Sequence, residues 1–473
     1  MSLQTATVLE LTEQVWSRDA LPALSDYIRI PNVSPAYDPG WVEAGHMERA
    51  VELVRAWCAS RPLPGATVEV VRLEGRTPVV LVDVPPTDPA LGTEDTVLLY
   101  GHLDKQPGME GWRAGLGPWE PVVRDGRLYG RGSADDGYAA FAALTALEAV
   151  RAGGGAHRRA LVLIEAGEES GSPDLPAYLE ALLPRMGTPS LVVCLDSGLA
   201  DWDHLWVTTS LRGLVGADVT VRILTEGVHS GSAGGVVPSS FRLLRRLLSR
   251  VEDEATGRIV LPEMHVELPA QREREIADAA GVLGDLVAAE FPWVDGPPPG
   301  SAAARLRAKT WEPSLAVVGL DGAPPVANAG NVLRASTSAR LSVRIPPGAD
   351  PVRAQQALVR ALESDPPEGA EVTVVSDQIA AGWDAPALAP WLTSAVDAAA
   401  QDAWGRPPRF VGEGGTIPFM HMLGEQLPAA QLLVTGVLGP ESNAHGPNEF
   451  LDLASAERVT RVVAQVLDAH ARR

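Results

Sequence analysis

The chain predicts an α/β fold: a mostly parallel sheet flanked by helices, interrupted by an inserted α+β domain with an antiparallel sheet. Three observations carry that expectation. Short runs that are apolar on both faces, such as Val97-Leu98-Leu99-Tyr100 and Leu191-Val192-Val193-Cys194, alternate with helical stretches, as strands covered on both sides do. From Ser210 the rhythm becomes two-fold. Ala217, Val219, Val221 and Ile223 alternate with Asp218, Thr220 and Arg222, and Leu341, Val343 and Ile345 with Arg340, Ser342 and Arg344, the period of strands with one wet face. From Pro386 to Arg473 the α/β character returns. The expected division is therefore residues 1–209 and 381–473 as two parts of one domain, with 210–380 as the insertion.

Taken in order, the stretch up to Arg61 reads as two amphipathic helices separated by Pro31 and a polar turn, Asn32 to Gly40. The second places Ala44, Met47, Val51, Leu53, Val54 and Trp57 at mostly helical spacing. Strands are expected at Val79–Val84, Thr96–Tyr100, Ala160–Ile164 and Ser190–Leu195, with helices at Phe141–Val150 and Pro176–Leu183. Within the insertion, Ser239–Val251 and Ala354–Leu362 read as helices and Pro292–Gly300 as a surface loop. The chain closes with a helix whose Val459, Val462, Val463, Val466 and Leu467 form one apolar stripe.

Charge and composition exclude several functions. Lys plus Arg is 39 against 60 Asp plus Glu, a formal charge of −21. A nucleic-acid binder needs basic patches to displace phosphate counterions, and an anionic membrane repels such a surface. No apolar run reaches the roughly 18 residues of a membrane helix. Glu10 and Glu13 stand where a signal peptide would have its apolar stretch. With Cys58 and Cys194 the only cysteines, no disulfide framework is expected and the reading is cytoplasmic. Cys194 is expected to be a buried structural thiol.

Position makes the acids and histidines informative. The run ending at Tyr100 is followed by Gly101-His102-Leu103-Asp104, the run ending at Ile164 by Glu165-Ala166-Gly167-Glu168-Glu169, and the run ending at Leu195 by Asp196. Open α/β sheets build their sites at such carboxyl ends. Asp135 and Asp136 follow the Gly-rich segment Leu128 to Ala134, and a polar loop near the C-terminus contains His445. Asp136 is expected to cap the following helix. Gathered acids repel one another unless cations sit among them. Two divalent ions would be balanced by Asp135, Glu169, Asp196 and one hydroxide, with the two imidazoles neutral. Histidine with carboxylate and no thiolate suits zinc, and admits manganese or cobalt. Glu168, adjacent to Glu169 but not needed as a ligand, is placed to act as general base.

Four segments, Gly101-His102-Leu103-Asp104, Tyr129 to Asp136, Gly167 to Ser172 and Ala444-His445-Gly446-Pro447-Asn448-Glu449, occur in one order along the chain. Together they resemble the co-catalytic metallopeptidases, the family of the carnosinase-like dipeptidases, carboxypeptidase G, aminoacylase, acetylornithine deacetylase and succinyl-diaminopimelate desuccinylase. The resemblance implies that His102, Asp135 and Asp196 hold one metal ion and Asp135, Glu169 and His445 a second. Asp135 is then the bridge, Glu168 the general base and Asp104 the carboxylate that orients His102. It further implies a catalytic domain interrupted by a lid that forms a homodimer. His229 would reach from the lid to steady the oxyanion in the partner's site. Arg344 would clamp the substrate's carboxylate beside the loop Gly414-Gly415-Thr416, with Asn331 near the substrate. The implied activity is two-metal hydrolysis of an amide bond in dipeptides or small peptides with a free carboxylate; the alternative is an N-acyl amino acid. A catalytically inactive binding protein of the same fold is the least favoured reading, since all five ligands and Glu168 are retained.

The chain departs from the family pattern at two places. Gly137 stands where the family commonly has a lysine after the paired aspartates, and Gly412 where relatives often have an arginine. Asp196, rather than a glutamate, as third ligand favours the dipeptidase and desuccinylase side.

Overall fold

Six strands form the central sheet in the order Thr67–Val71, Val79–Val84, Arg159–Glu165, Asp95–His102, Thr188–Cys194, Gln431–Val434. The computed structural model describes residues 3–473; Met1 and Ser2, at the head of the first expected part, lie outside it. The last four strands run parallel, whereas Val79–Val84 is antiparallel to both of its neighbours. Alternate residues of each strand feed two cores. Val80, Val82, Val97, Leu99, Val162 and Val193 pack under the helices His46–Ser60 and Ala139–Ala152, and the helices Thr5–Val15 and Leu453–Arg472 extend the same core outward. Leu81, Leu98, Tyr100, Leu163, Val192 and Cys194 pack under Leu175–Leu182 and Pro418–Gln426.

Helix Ala139–Ala152 is buried without interruption from Ala139 to Val150, because it lies between the sheet and the C-terminal helix. The terminal helix buries its whole valine stripe, and also Ala456, Thr460 and Ala464 beside it. Helix His46–Ser60 starts after Gly45, whose φ of +66° stops the preceding turn.

The insertion holds a four-stranded antiparallel sheet, ordered Ser314–Asp321, Ser336–Ile345, Gly213–Arg222, Glu371–Ala380. Burial alternates along Ser336–Ile345, and the inner face packs on helices Ser240–Leu248 and Pro351–Glu363. Helices Ala270–Leu283 and Ala302–Trp311 lie in the same span but share a core with Trp206 and Val411. Those residues belong to the strands Trp206–Leu211 and Arg409–Glu413, which flank the insertion. Residues 210–380 thus contribute to two cores, a point that apolar periodicity alone does not reveal.

For the site, register matters most. His102 is opposite Glu165 and Tyr100 opposite Cys194, so three strand ends open side by side.

Candidate active site

His102 is the last residue of its strand and is fully enclosed. It can sit there because Gly101 carries no side chain: a Cβ would come within 2.4 Å of the Ala139 Cβ and 2.6 Å of Asp136 Oδ2. The Asp136 carboxylate does not cap the helix, contrary to expectation. Its Oδ2 accepts from the His102 backbone N–H at 3.2 Å, and the helix begins without a side-chain cap. Burial at this strand end gives that carboxylate a closer donor than the helix N-terminus.

Asp135 stands at the centre. Its Oδ1 lies 3.3 Å from His102 Nε2 and its Oδ2 3.0 Å from His445 Nε2. Glu169 Oε2 is 3.3 Å from the same His445 nitrogen, and Asp196 Oδ1 is 3.8 Å from His102 Nε2. Ligand atoms of His102, Asp135 and Glu169 lie within 4.8 Å of one another, as do those of His102, Glu168 and Asp196. The second grouping puts Glu168 beside the ligands, within reach of anything they hold. All seven residues expected at the metal site and base position, from His102 and Asp104 to His445, meet in one pocket.

The charges of this cluster fit cations. Burial, then repulsion from Asp135, pushes Glu169 up to about 8. Burial raises Asp196 to about 6, against the attraction of His102. Glu168 is pushed well above the usual carboxylate range by burial and by Asp196. Partial desolvation opposes charge on His445, whose side chain is 58% exposed, yet the hydrogen bond to Asp135 and the charge of Glu169 raise it to about 9. Acids that hold protons and imidazoles that gain them are what a crowd of negative charge does without positive charge among it. Divalent cations would satisfy that demand directly, and every donor is oxygen or imidazole nitrogen.

Neighbouring groups fix these side chains. The Asp104 carboxylate accepts from the backbone N–H groups of Glu168 and Glu169 at 3.1 and 3.0 Å. Its Oδ1 is 3.5 Å from His102 Nδ1, farther than its own backbone carbonyl at 3.2 Å. Asp104 therefore holds the acidic turn at least as firmly as it orients the imidazole. Two residues that sequence reasoning gave no role also act here. Glu449 Oε1 accepts from the backbone N–H groups of Ala134 and Asp135, at 3.2 and 3.3 Å, and its Oε2 pairs with Arg131 at 2.6 Å. Arg131 in turn donates to the carbonyls of Pro107 and Gly446. Where the resemblance expects a lysine, a Cβ on Gly137 would come 2.3 Å from the Gly132 carbonyl and from the Tyr27 ring. A second buried basic side chain of this region is Lys105, whose Nζ donates to the carbonyls of Tyr27 and Ile30 at 2.8 Å.

The lid residues stand elsewhere. His229 is exposed, pairs with Val332 across a two-residue ladder, and accepts from the Gly231 N–H through Nδ1. Asn331 is beside it, its carbonyl accepting from the Ser230 N–H. Neither takes part in the acid cluster of its own chain among the described residues. Arg344 donates to Thr416 Oγ1 at 2.9 Å, and Thr416 donates to the Arg212 carbonyl. Arg212, another residue the sequence reading passed over, donates from Nε to the Gly414 carbonyl. Cys194 and Cys58 are free and buried.

Comparisons with known proteins bear on the family and the fold. Residues 98–469 match the profile of peptidase family M20/M25/M40. The chain is 29% identical over 394 residues to a cysteinylglycine-S-conjugate dipeptidase of Corynebacterium striatum, covering 80% of this chain and 81% of that protein. It is 26% identical over 403 residues to human beta-Ala-His dipeptidase, covering 79% and 74%. In fold it is similar to the dipeptidase Dug1p of Saccharomyces cerevisiae, with a TM-score of 0.81, 21% identity and both chains fully covered. Human carnosine dipeptidase 1 gives a TM-score of 0.78 at 22% identity, again over both whole chains. With four sequence segments meeting in one acid and imidazole pocket, and the profile extending over most of its length, the chain belongs to peptidase family M20/M25/M40.

Proposed function

We propose that the protein hydrolyses the amide bond of dipeptides or small peptides bearing a free carboxylate, using two divalent ions. The observation that carries this reading is the position of Asp135, whose two oxygens face two different imidazoles, with Glu169 and Asp196 alongside. His102, Asp135 and Asp196 would hold one ion, and Asp135, Glu169 and His445 the other. Zinc is the first choice for such a donor set, with manganese or cobalt as alternatives. When bound, the ions supply Lewis acidity and an acidified water.

The remaining work falls to the chain's own groups. Glu168 takes the proton of the attacking water and returns it to the leaving amine; a carboxyl raised by burial and by Asp196 suits both transfers. Asp104 holds the Glu168-Glu169 turn and His102. Arg344, Thr416 and the loop Gly414-Gly415 receive the substrate's carboxylate, since a guanidinium can bind both oxygens. His229 steadies the oxyanion from the partner's lid, with Asn331 at its side. Its exposure and its separation from its own acid cluster support that arrangement.

We divide the chain into a catalytic domain, 1–209 and 381–473, and a lid, 210–380, through which it forms a homodimer. Strand Ser314–Asp321 is an edge of the lid sheet and exposes Val317, Val318 and Leu320, a surface that a second copy would cover. Among the described residues no helix is long and apolar enough to cross a membrane, and we place the enzyme in the cytoplasm on its two free cysteines. The names of the dipeptidase relatives support dipeptides as substrates.

Elemental analysis of the purified protein is expected to find two divalent ions per chain. Turnover of Cys-Gly and beta-Ala-His is expected to exceed that of N-acetylglycine. Fast deacylation without dipeptide cleavage would reverse the assignment. Mixing His229→Ala chains with Glu168→Gln chains is expected to restore part of the activity, because one site then receives both intact groups.

A further inference from the structure

Arg212 joins strand Trp206–Leu211 of the catalytic side to strand Gly213–Arg222 of the lid. In the lid sheet Arg344 is directly opposite Leu214 on one side and Ser314 on the other. Arg212 is two residues from Leu214 and so shares the face of Arg344, at the diagonal spacing of roughly 7–8 Å. Its Nη1 donates to Ser314 Oγ at 3.0 Å, next to Arg344 in register, and to the Glu312 carbonyl at 3.3 Å. Its Nη2 lies 3.2 Å from where a Cβ on Gly414 would be, so the guanidinium rests against this loop.

Both arginines are half-buried, and neither has a carboxylate within 4.0 Å among the described residues. Their partners are neutral: the carbonyls of Gly414 and Glu312, Ser314 Oγ and Thr416 Oγ1. The nearby acids serve another cation. Glu290 pairs with Lys309 at 3.1 Å, and half-buried Glu413 faces the same Lys309. Burial, and then the charge of Arg344, lower Arg212 to about 10. Two like charges held together in a desolvated place without a counter-charge make a site for an anion. The loop also reaches the segment that follows Asp196: Glu413, which begins it, has Oε1 3.7 Å from where a Cβ on Gly198 would be, two residues after Asp196.

We infer that Arg212 is a second substrate-binding side chain of this site, sharing the substrate's terminal carboxylate with Arg344 and setting its preference for a free acid over the corresponding amide. The inference rests on the carboxylate-binding role proposed above for Arg344. Arg212 also bridges the hinge, so a purely structural role has to be distinguishable. Structural damage weakens acid and amide alike, whereas loss of a counter-charge weakens only the acid.

The test uses the metal-loaded protein with Glu168→Gln, in which binding is separated from turnover. Affinity for Cys-Gly and for Cys-Gly amide is measured by calorimetry, with and without Arg212→Met or Arg212→Lys. Removing one charge-assisted contact is expected to weaken Cys-Gly binding about tenfold or more and leave the amide unchanged. Arg212→Lys, which keeps the charge without the fork, is expected to recover part of the loss. In the enzyme with Glu168 intact, the same variants are expected to raise KM for Cys-Gly far more than they lower kcat. Equal loss for acid and amide, or no loss for either, overturns the inference, as does failure of the parent protein to bind Cys-Gly. Arg212-dependent binding of Cys-Gly without its hydrolysis would remove the dipeptidase reading and keep this one.

Discussion

Glu168 and Asp104 divide two tasks that adjacent carboxylates could otherwise confuse. Glu168 is linked through its backbone to the Asp104 carboxylate, leaving its own side chain to face His102 and Asp196. Glu168→Gln keeps the size and removes the titrating group. It is expected to retain both ions by elemental analysis while kcat falls by about 10²–10⁴. Asp104→Asn is a different test. An amide can accept only through its oxygen, so one of the two backbone N–H groups at Glu168 and Glu169 loses its acceptor. Metal affinity and kcat are both expected to fall, by about 10–100-fold. Calorimetric titration of the metal-free protein with zinc separates the variants, since only the second weakens binding. Lys105 and Gly137 make a related point. The cation that the family pattern puts after the paired aspartates has no room here, and a buried lysine occupies the neighbouring space instead.

At the scale of elements, the loop from Glu441 to Glu449 is held by a network rather than by regular structure. His445 has a φ of +64°, and Asn443 and Asn448 are likewise left-handed, a backbone that persists only where surroundings impose it. Arg131 and Glu449, both fully buried, impose it. They tie the His445 loop to the backbone of Asp135 and to Pro107, beyond His102. Glu449→Gln leaves Arg131 buried without its counter-charge and is expected to cost about 3–5 kcal/mol of stability. Pairing it with Arg131→Met should recover much of that loss in Tm. Metal affinity is expected to stay low in the pair, because the tie between the ligand segments is absent. The candidate ligands were legible in the sequence because His102, Glu169 and Asp196 follow strand-like runs, while Asp135 and His445 stand in distinctive Gly-rich and polar segments. Arg131, Glu449 and Arg212 were not, since an ion pair or a same-face neighbour made by residues far apart in the chain leaves no periodic trace. The antiparallel placement of Val79–Val84 was equally hidden, because a strand buried on both faces reads the same in either direction.

For the molecule as a whole, the central sheet carries a second pH sensitivity remote from the acid cluster. His157 is fully buried, just before strand Arg159–Glu165. Its Nδ1 donates to the Arg158 carbonyl at 2.7 Å, and its Nε2 accepts from Arg151 Nε at 2.9 Å. A second proton would replace that acceptor with a donor facing a guanidinium. Burial, opposed by the backbone hydrogen bond and helped by Arg151, lowers the group to about 4. The unfolded chain has its histidine near 6.5, so between these values the unfolded state binds more protons than the folded one. Stability from this residue is therefore complete above about pH 6.5 and is lost as pH falls towards 4, by about 2 kcal/mol at pH 5. His157→Gln has no proton to gain. Its Tm is expected to fall less steeply than that of the parent between about pH 7 and pH 5, both measured with saturating zinc. Protonation of the metal site is common to the two proteins and cancels in the difference. Parallel slopes would mean that His157 stays accessible to protons in the folded state, and that the acid sensitivity arises elsewhere.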